Sequence, residues 1–145
     1  MKQHIRIGLL SIILASAPAL ARQDQMIDVP FRDLRAATGT DLTARQVEGA
    51  IRDGARANRW NVVSTEPGKI VLRLAVRSHQ ADVTVKYDEH GFDIDYLSCV
   101  NLNYETKRGY AYIHPNYNVW VGRLADSISS SPVIDPTRTP VAVAP

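Results

Sequence analysis

Residues 61–96 read NVVSTEPGKIVLRLAVRSHQADVTVKYDEHGFDIDY, and most of this stretch repeats every two residues. Ile70, Leu72, Leu74 and Val76 alternate with Val71, Arg73, Ala75 and Arg77, the pattern of a strand with one covered face and one wetter face. Val83, Val85 and Tyr87 mark the next strand. Phe92, Ile94 and Tyr96 mark another, with Asp93 and Asp95 turned to the opposite side. Asn61–Glu66 supplies a strand ahead of these, closed by the turn pair Pro67-Gly68. Glu89-His90-Gly91 reads as a hairpin turn, with Gly91 expected at positive φ. Four strands with one apolar and one polar face predict an antiparallel meander.

On either side of this stretch the period lengthens to that of a helix. Thr43 and Gln46 have the spacing of a capping box, and Val47, Ala50, Ile51 and Ala55 follow at helical intervals, predicting a helix over 43–59. A second helix starts near Pro115 or Asn116. Its apolar stripe is Tyr117, Trp120, Val121, Leu124 and Ile128, with Arg123 and Asp126 falling away from it. Both aromatics read as packing. The expected fold is α+β, a four-stranded antiparallel meander with two helices packed on one face, in the order α-β-β-β-β-α. Residues 99–115 read as a polar connection.

The ends read differently. Lys2 and Arg6 precede a short apolar run, and Ala19 and Ala21 occupy the small-residue positions of a cleavage site. Residues 1–21 thus read as a signal peptide cut after Ala21, giving a periplasmic protein with no transmembrane segment in the mature chain. Residues 22–41 form an N-terminal arm, with a short helical turn expected over 31–37. Residues 42–130 form one domain. Residues 131–145 carry four of the eight prolines and read as a disordered tail.

The whole chain has 17 Lys plus Arg against 15 Asp plus Glu, but two of the bases lie in the leader, so the mature charges balance. Arg45, Arg52, Arg56 and Arg59 are interleaved with Glu48 and Asp53. That mixture suits a solvated helix face and not a phosphate track, so no nucleic-acid partner is expected. Cys99 is the single cysteine, which excludes an internal disulfide, and its setting at the end of an apolar run predicts burial.

Residue types for chemistry are present without a motif that organises them. His79 and His114 could converge, but a metal would need a third ligand from Asp82, Asp93, Asp95 or Cys99, so no metal or other cofactor is assigned. Asp93 and Asp95 share one strand face, unlike the opposed carboxylates of a glycosidase. Cys99 with either histidine would suit thiol catalysis only with an oxyanion site beside it. There is no CxxC, nucleophile elbow, GxxxxGK, GxGxxG or HExxH. No catalytic residue is named. The polar set around the connection, Ser98, Asn101, Asn103, Tyr104, His114 and Asn118 with Asn116, reads as a latch of hydrogen bonds to backbone. Its functional counterpart is a shallow ligand pocket between the sheet end and the second helix, to which His79 and Tyr96 also contribute.

An ordered series then stands out: Trp60, Pro67-Gly68, Arg77-Ser78-His79-Gln80-Ala81, Phe92-Asp93-Ile94-Asp95-Tyr96, Leu102-Asn103-Tyr104 and Ile113-His114-Pro115-Asn116-Tyr117-Asn118-Val119-Trp120. Over roughly residues 43–128 the chain resembles a family of small exported proteins and lipoproteins of Gram-negative bacteria with no established activity. The resemblance implies an exported location and a small α+β domain, and carries over no catalytic residue. Because no cysteine follows the leader, lipid tethering is not expected. The expected function is noncatalytic binding of a small ligand, an envelope component or an envelope protein partner. The alternatives are a hydrolase or other enzyme using His79 and His114 with or without Cys99, and an assembly protein acting through a sheet edge or the polar sheet face.

Overall fold

The computed structural model describes residues 22–35, 39 and 41–134. The leader and residues 135–145 of the tail lie outside the described residues. Helix α1, Ala44–Ala57, starts as its sequence predicts. The Gln46 backbone N–H donates to Thr43 Oγ1 at 3.2 Å, and the Thr43 N–H donates to Gln46 Oε1 at 2.9 Å. Two free donors of the first turn are thereby satisfied reciprocally.

The helix ends in a Schellman arrangement. The Trp60 N–H donates to Ala55 O at 2.8 Å and the Arg59 N–H to Arg56 O at 3.2 Å. Arg59 holds φ at 62°, the left-handed region where glycine is usual.

Strands β3 (Asn61–Glu66), β4 (Lys69–Val76), β5 (His79–Tyr87) and β6 (Gly91–Val100) pair antiparallel in succession. The single four-stranded meander expected from sequence is nonetheless overturned. Strand β2 (Val29–Asp33), from the N-terminal arm, adds to β6, giving a five-stranded sheet in the order β2-β6-β5-β4-β3. A second sheet, β1-β8-β7, is built from Asp24–Gln25, Tyr110–Ile113 and Glu105–Lys107. Among the described residues the order of these elements is β-β-α-β-β-β-β-β-β-α. Strand β2 takes 29–33, the start of the helical turn expected over 31–37; Arg35 is helical, and residues 36–37 lie outside the described residues. The polar connection contains a hairpin. Arg108 and Gly109, both at positive φ, turn that hairpin in two residues.

The added strands escape sequence reading for a physical reason: each is two to five residues long, and β1, β2 and β7 are mostly exposed, so no alternation builds up. Their partners lie far along the chain. Strand β6 is therefore interior, and the edges are β2, which carries Pro30, and β3, exposed along its whole length.

Helix α2 runs Pro115–Ser129. It lies with α1 over the sheet face formed by Ile70, Leu72, Val83, Val85 and Phe92, all fully buried. Ile134, in the stretch read as tail, is also buried in this core. The opposite face is wet: Arg73 pairs with Asp82, and Lys86 with Asp95. Gly91 is required by contact and not by φ, since a Cβ there would stand 1.9 Å from Arg32 O on β2.

The two helices meet through Gly54. A Cβ at that position would stand 2.7 Å from Ile128 Cγ1 and 2.9 Å from the Ile128 backbone nitrogen. Two substitutions near the end of α1 should therefore move stability in opposite directions. Gly54→Ala gains helix propensity but forces the backbones apart, and should lose about 1–3 kcal/mol net. Arg59→Gly relieves left-handed strain and should gain about 1 kcal/mol. Urea midpoints of the two variants against the parent test both signs.

Candidate functional site

The residues expected to line one pocket fall into separate groups. His79 opens β5, and its Nδ1 lies 2.7 Å from Asn101 O. Because a carbonyl only accepts, Nδ1 carries the proton and Nε2 keeps its lone pair. Asn101, at φ 56°, donates from its carboxamide to Ser78 O at 2.8 Å, closing the β4–β5 turn onto the end of β6.

His114 is the N-cap of α2, and its Nδ1 accepts from the Asn116 N–H at 3.2 Å. Neutral His114 therefore carries its proton on Nε2, the tautomer opposite to that of His79. The two rings approach to 5.6 Å between centroids, tilted by 35°. The histidines do converge, each with one nitrogen committed to backbone.

A second group is aromatic. Tyr96 stacks on Tyr104 at 4.7 Å and meets Tyr117 edge-on at 5.9 Å. Its hydroxyl donates to Cys99 Sγ at 3.5 Å. Burial, then the Cys99 hydrogen bond, pushes the Tyr96 phenol far above its ordinary value; burial does the same to Tyr117. Both are neutral donors at any physiological pH. Cys99 is half-buried against the core, and among the described residues no hydrogen bond joins its sulfur to an imidazole.

Three further residues lie apart. Ser98 falls on the wet sheet face, where its hydroxyl donates to Asp82 Oδ2 at 3.1 Å. Asn118, on α2, clamps the N-terminal arm: its Oδ1 accepts from the Ile27 N–H at 3.0 Å, and its Nδ2 donates to Gln25 O at 2.9 Å. Asn103, at φ 52°, accepts from Gln23 through its backbone carbonyl. Gln23, Asn103, Tyr104 and Glu105 line only a shallow depression. Four of the eight, His79, Asn101, His114 and Asn118, bond to backbone through their side chains, as a latch requires. Among the described residues no three His, Cys, Asp or Glu side chains gather as a metal site would need.

A better-formed concavity lies elsewhere. A cleft of about 290 Å³ opens where the end of α1 and the end of β4 face α2. Trp60, Leu74, Val76 and Trp120 supply its apolar wall, and Arg59 and Arg123 its charge. Trp60 is buried, and its indole N–H meets no acceptor among the described residues. Trp120 is half-buried: it packs against the core, as its place in the helix stripe predicts, and also lines the cleft. A second hollow, of about 430 Å³ beside Pro67 and Gly68, is more open. Its carboxylates are already partnered, Glu48 by Arg52 and Tyr87, Glu66 by Lys69.

The Trp60–Trp120 cleft was not foreseen because each of its residues has an ordinary local explanation. One signal was available in the sequence: Arg59 follows the last apolar position of its helix, where a terminating glycine would normally stand.

Two measurements separate latch residues from working ones. His114→Ala should cost about 1 kcal/mol through loss of the cap, and His114→Ser should recover most of it; thermal unfolding reads both. Asp82 is held below the usual carboxylate range by the Arg73 hydrogen bonds first, with burial opposing and Ser98 assisting. A lowered value means that its contribution is complete above the unfolded carboxylate value of about 4 and fades as pH falls through the folded one. The parent should therefore lose more stability than Asp82→Asn on going from about pH 7 to about pH 3, in paired urea titrations.

The chain matches no family model, and neither the curated proteins nor the solved structures yield a match.

Proposed function

We propose that this protein is a noncatalytic binding domain of the periplasm, and that its ligand enters the cleft between Trp60 and Trp120. The leader-like N-terminus and the resemblance to small exported proteins support the compartment. The cleft supports the activity: both tryptophans of the chain reach one concavity, beside Leu74 and Val76. Apolar and aromatic walls with a few polar groups at the rim are the usual make-up of a small-molecule site. At about 290 Å³ the cleft lies at the small end of such sites, which favours a compact ligand over a long polymer.

The approach of His79 to His114 is the one observation on the side of an enzyme. That pair lacks an activated nucleophile, since the sulfur of Cys99 is bonded to Tyr96 and not to either imidazole.

Because the chain has two tryptophans, a nitrogen-15 correlation spectrum contains two indole N–H signals, both from the cleft. A fragment library of mixed charge should move these signals saturably, and Trp120→Ala, at a half-buried position, should remove the response without unfolding the protein. Fragments that shift only signals near Gln23 and Tyr104, or none that shift the indoles, would sink the cleft reading.

A further inference from the structure

The charge of the cleft is one-sided. None of its eight lining residues is acidic, while Arg59 and Arg123 both reach it. Neither guanidinium has an ion-pair or hydrogen-bond partner among the described residues, whereas Arg52 and Arg56, earlier on α1, are paired with Glu48 and Asp53. Asp126, three residues beyond Arg123 and the obvious local partner for it, is instead taken by Arg32 of β2 at 2.9 Å. The carbonyls at the end of α1 favour a cation nearby, which accounts for Arg59. They do not account for Arg123, which lies in the middle of α2. The two arginines come from different elements and meet at the one cleft that both tryptophans line.

Both guanidiniums are exposed and, among the described residues, unpartnered at the rim of the cleft, and carboxylates fit their planar fork with two parallel hydrogen bonds. The apolar wall opposite asks for a hydrocarbon body.

Resting on the cleft reading above, we infer that the ligand is a small amphipathic organic acid. Its carboxylate meets Arg59 and Arg123, and its short apolar chain or ring lies against Trp60, Leu74, Val76 and Trp120. The negative head distinguishes it from neutral molecules of the same shape, and the small cleft limits it to one medium-length chain or one ring beyond the head.

Octanoate and octanamide share a body and differ at the head, so they test the inference on the nitrogen-15-labelled protein. Octanoate should move both indole signals saturably, and octanamide should bind at least about tenfold more weakly. The Arg59→Gln/Arg123→Gln double variant, altered only at exposed side chains, should bind octanoate no better than the parent binds octanamide. Equal affinity for acid and amide would overturn the charge assignment while leaving the cleft reading intact. Octanoate binding unchanged in the double variant would overturn the two arginines as its partners. Silence of both indoles toward both probes would overturn the ligand class, and the mixed-charge fragments described above then decide whether the cleft binds anything.

Discussion

The molecule depends on one close approach, Gly54 of α1 against the backbone of Ile128 in α2. Only a residue without a side chain lets the two helices sit this near, and the nearness sets how they share the sheet face. Asn58 reinforces the crossing, donating from its carboxamide to Ser127 Oγ at 2.8 Å. Immediately after this junction the left-handed turn at Arg59 redirects the chain into Trp60 and β3. The cleft is thus a by-product of helix packing: one wall leaves the end of α1, the other is the flank of α2, and the floor is the end of β4. A wider crossing would separate Arg59 from Arg123 and dissolve the site.

The polar residues at the opposite end of α2 do structural chemistry of another kind. His79 and His114 take opposite tautomers because each is bonded to a different backbone group, one to a carbonyl and one to an N–H. Asn118 imitates a strand partner, offering the arm an acceptor and a donor at the spacing a backbone would. These are the terms in which a small domain without a disulfide secures its loops: many single hydrogen bonds, each worth about 1 kcal/mol or less net, placed where chain ends would otherwise fray.

The central strands and both helices were legible because their burial is one-sided and continuous, so the repeats at two and at three to four residues survive in the sequence. The capping box at Thr43 was legible because it is local. What was hidden is non-local or short. Strand β2 is recognisable only beside β6, some sixty residues later, and β7 has three exposed residues with no face to bury. Of the expected site, the sequence showed that the connection is polar, and the structure shows that its histidines, Asn101 and Asn118 bond to backbone while Ser98 and Tyr96 bond to other side chains. Trp60 belongs to the core and Trp120 packs against it as a helix-stripe aromatic usually does, yet both also line the cleft. Half-burial of the second cannot be read from spacing.

Strand β1 pairs with β8, and Asn118 locks the two residues that flank Met26. The start of the arm is therefore held by residues far along the chain. As the polypeptide emerges from its N-terminus, β2 waits some sixty residues for β6 and β1 some ninety for β8, and the arm can be clamped only when α2 is available. In a chain with this wiring α1 and the β3–β6 hairpins can pair early, and the latching step comes at the end of synthesis.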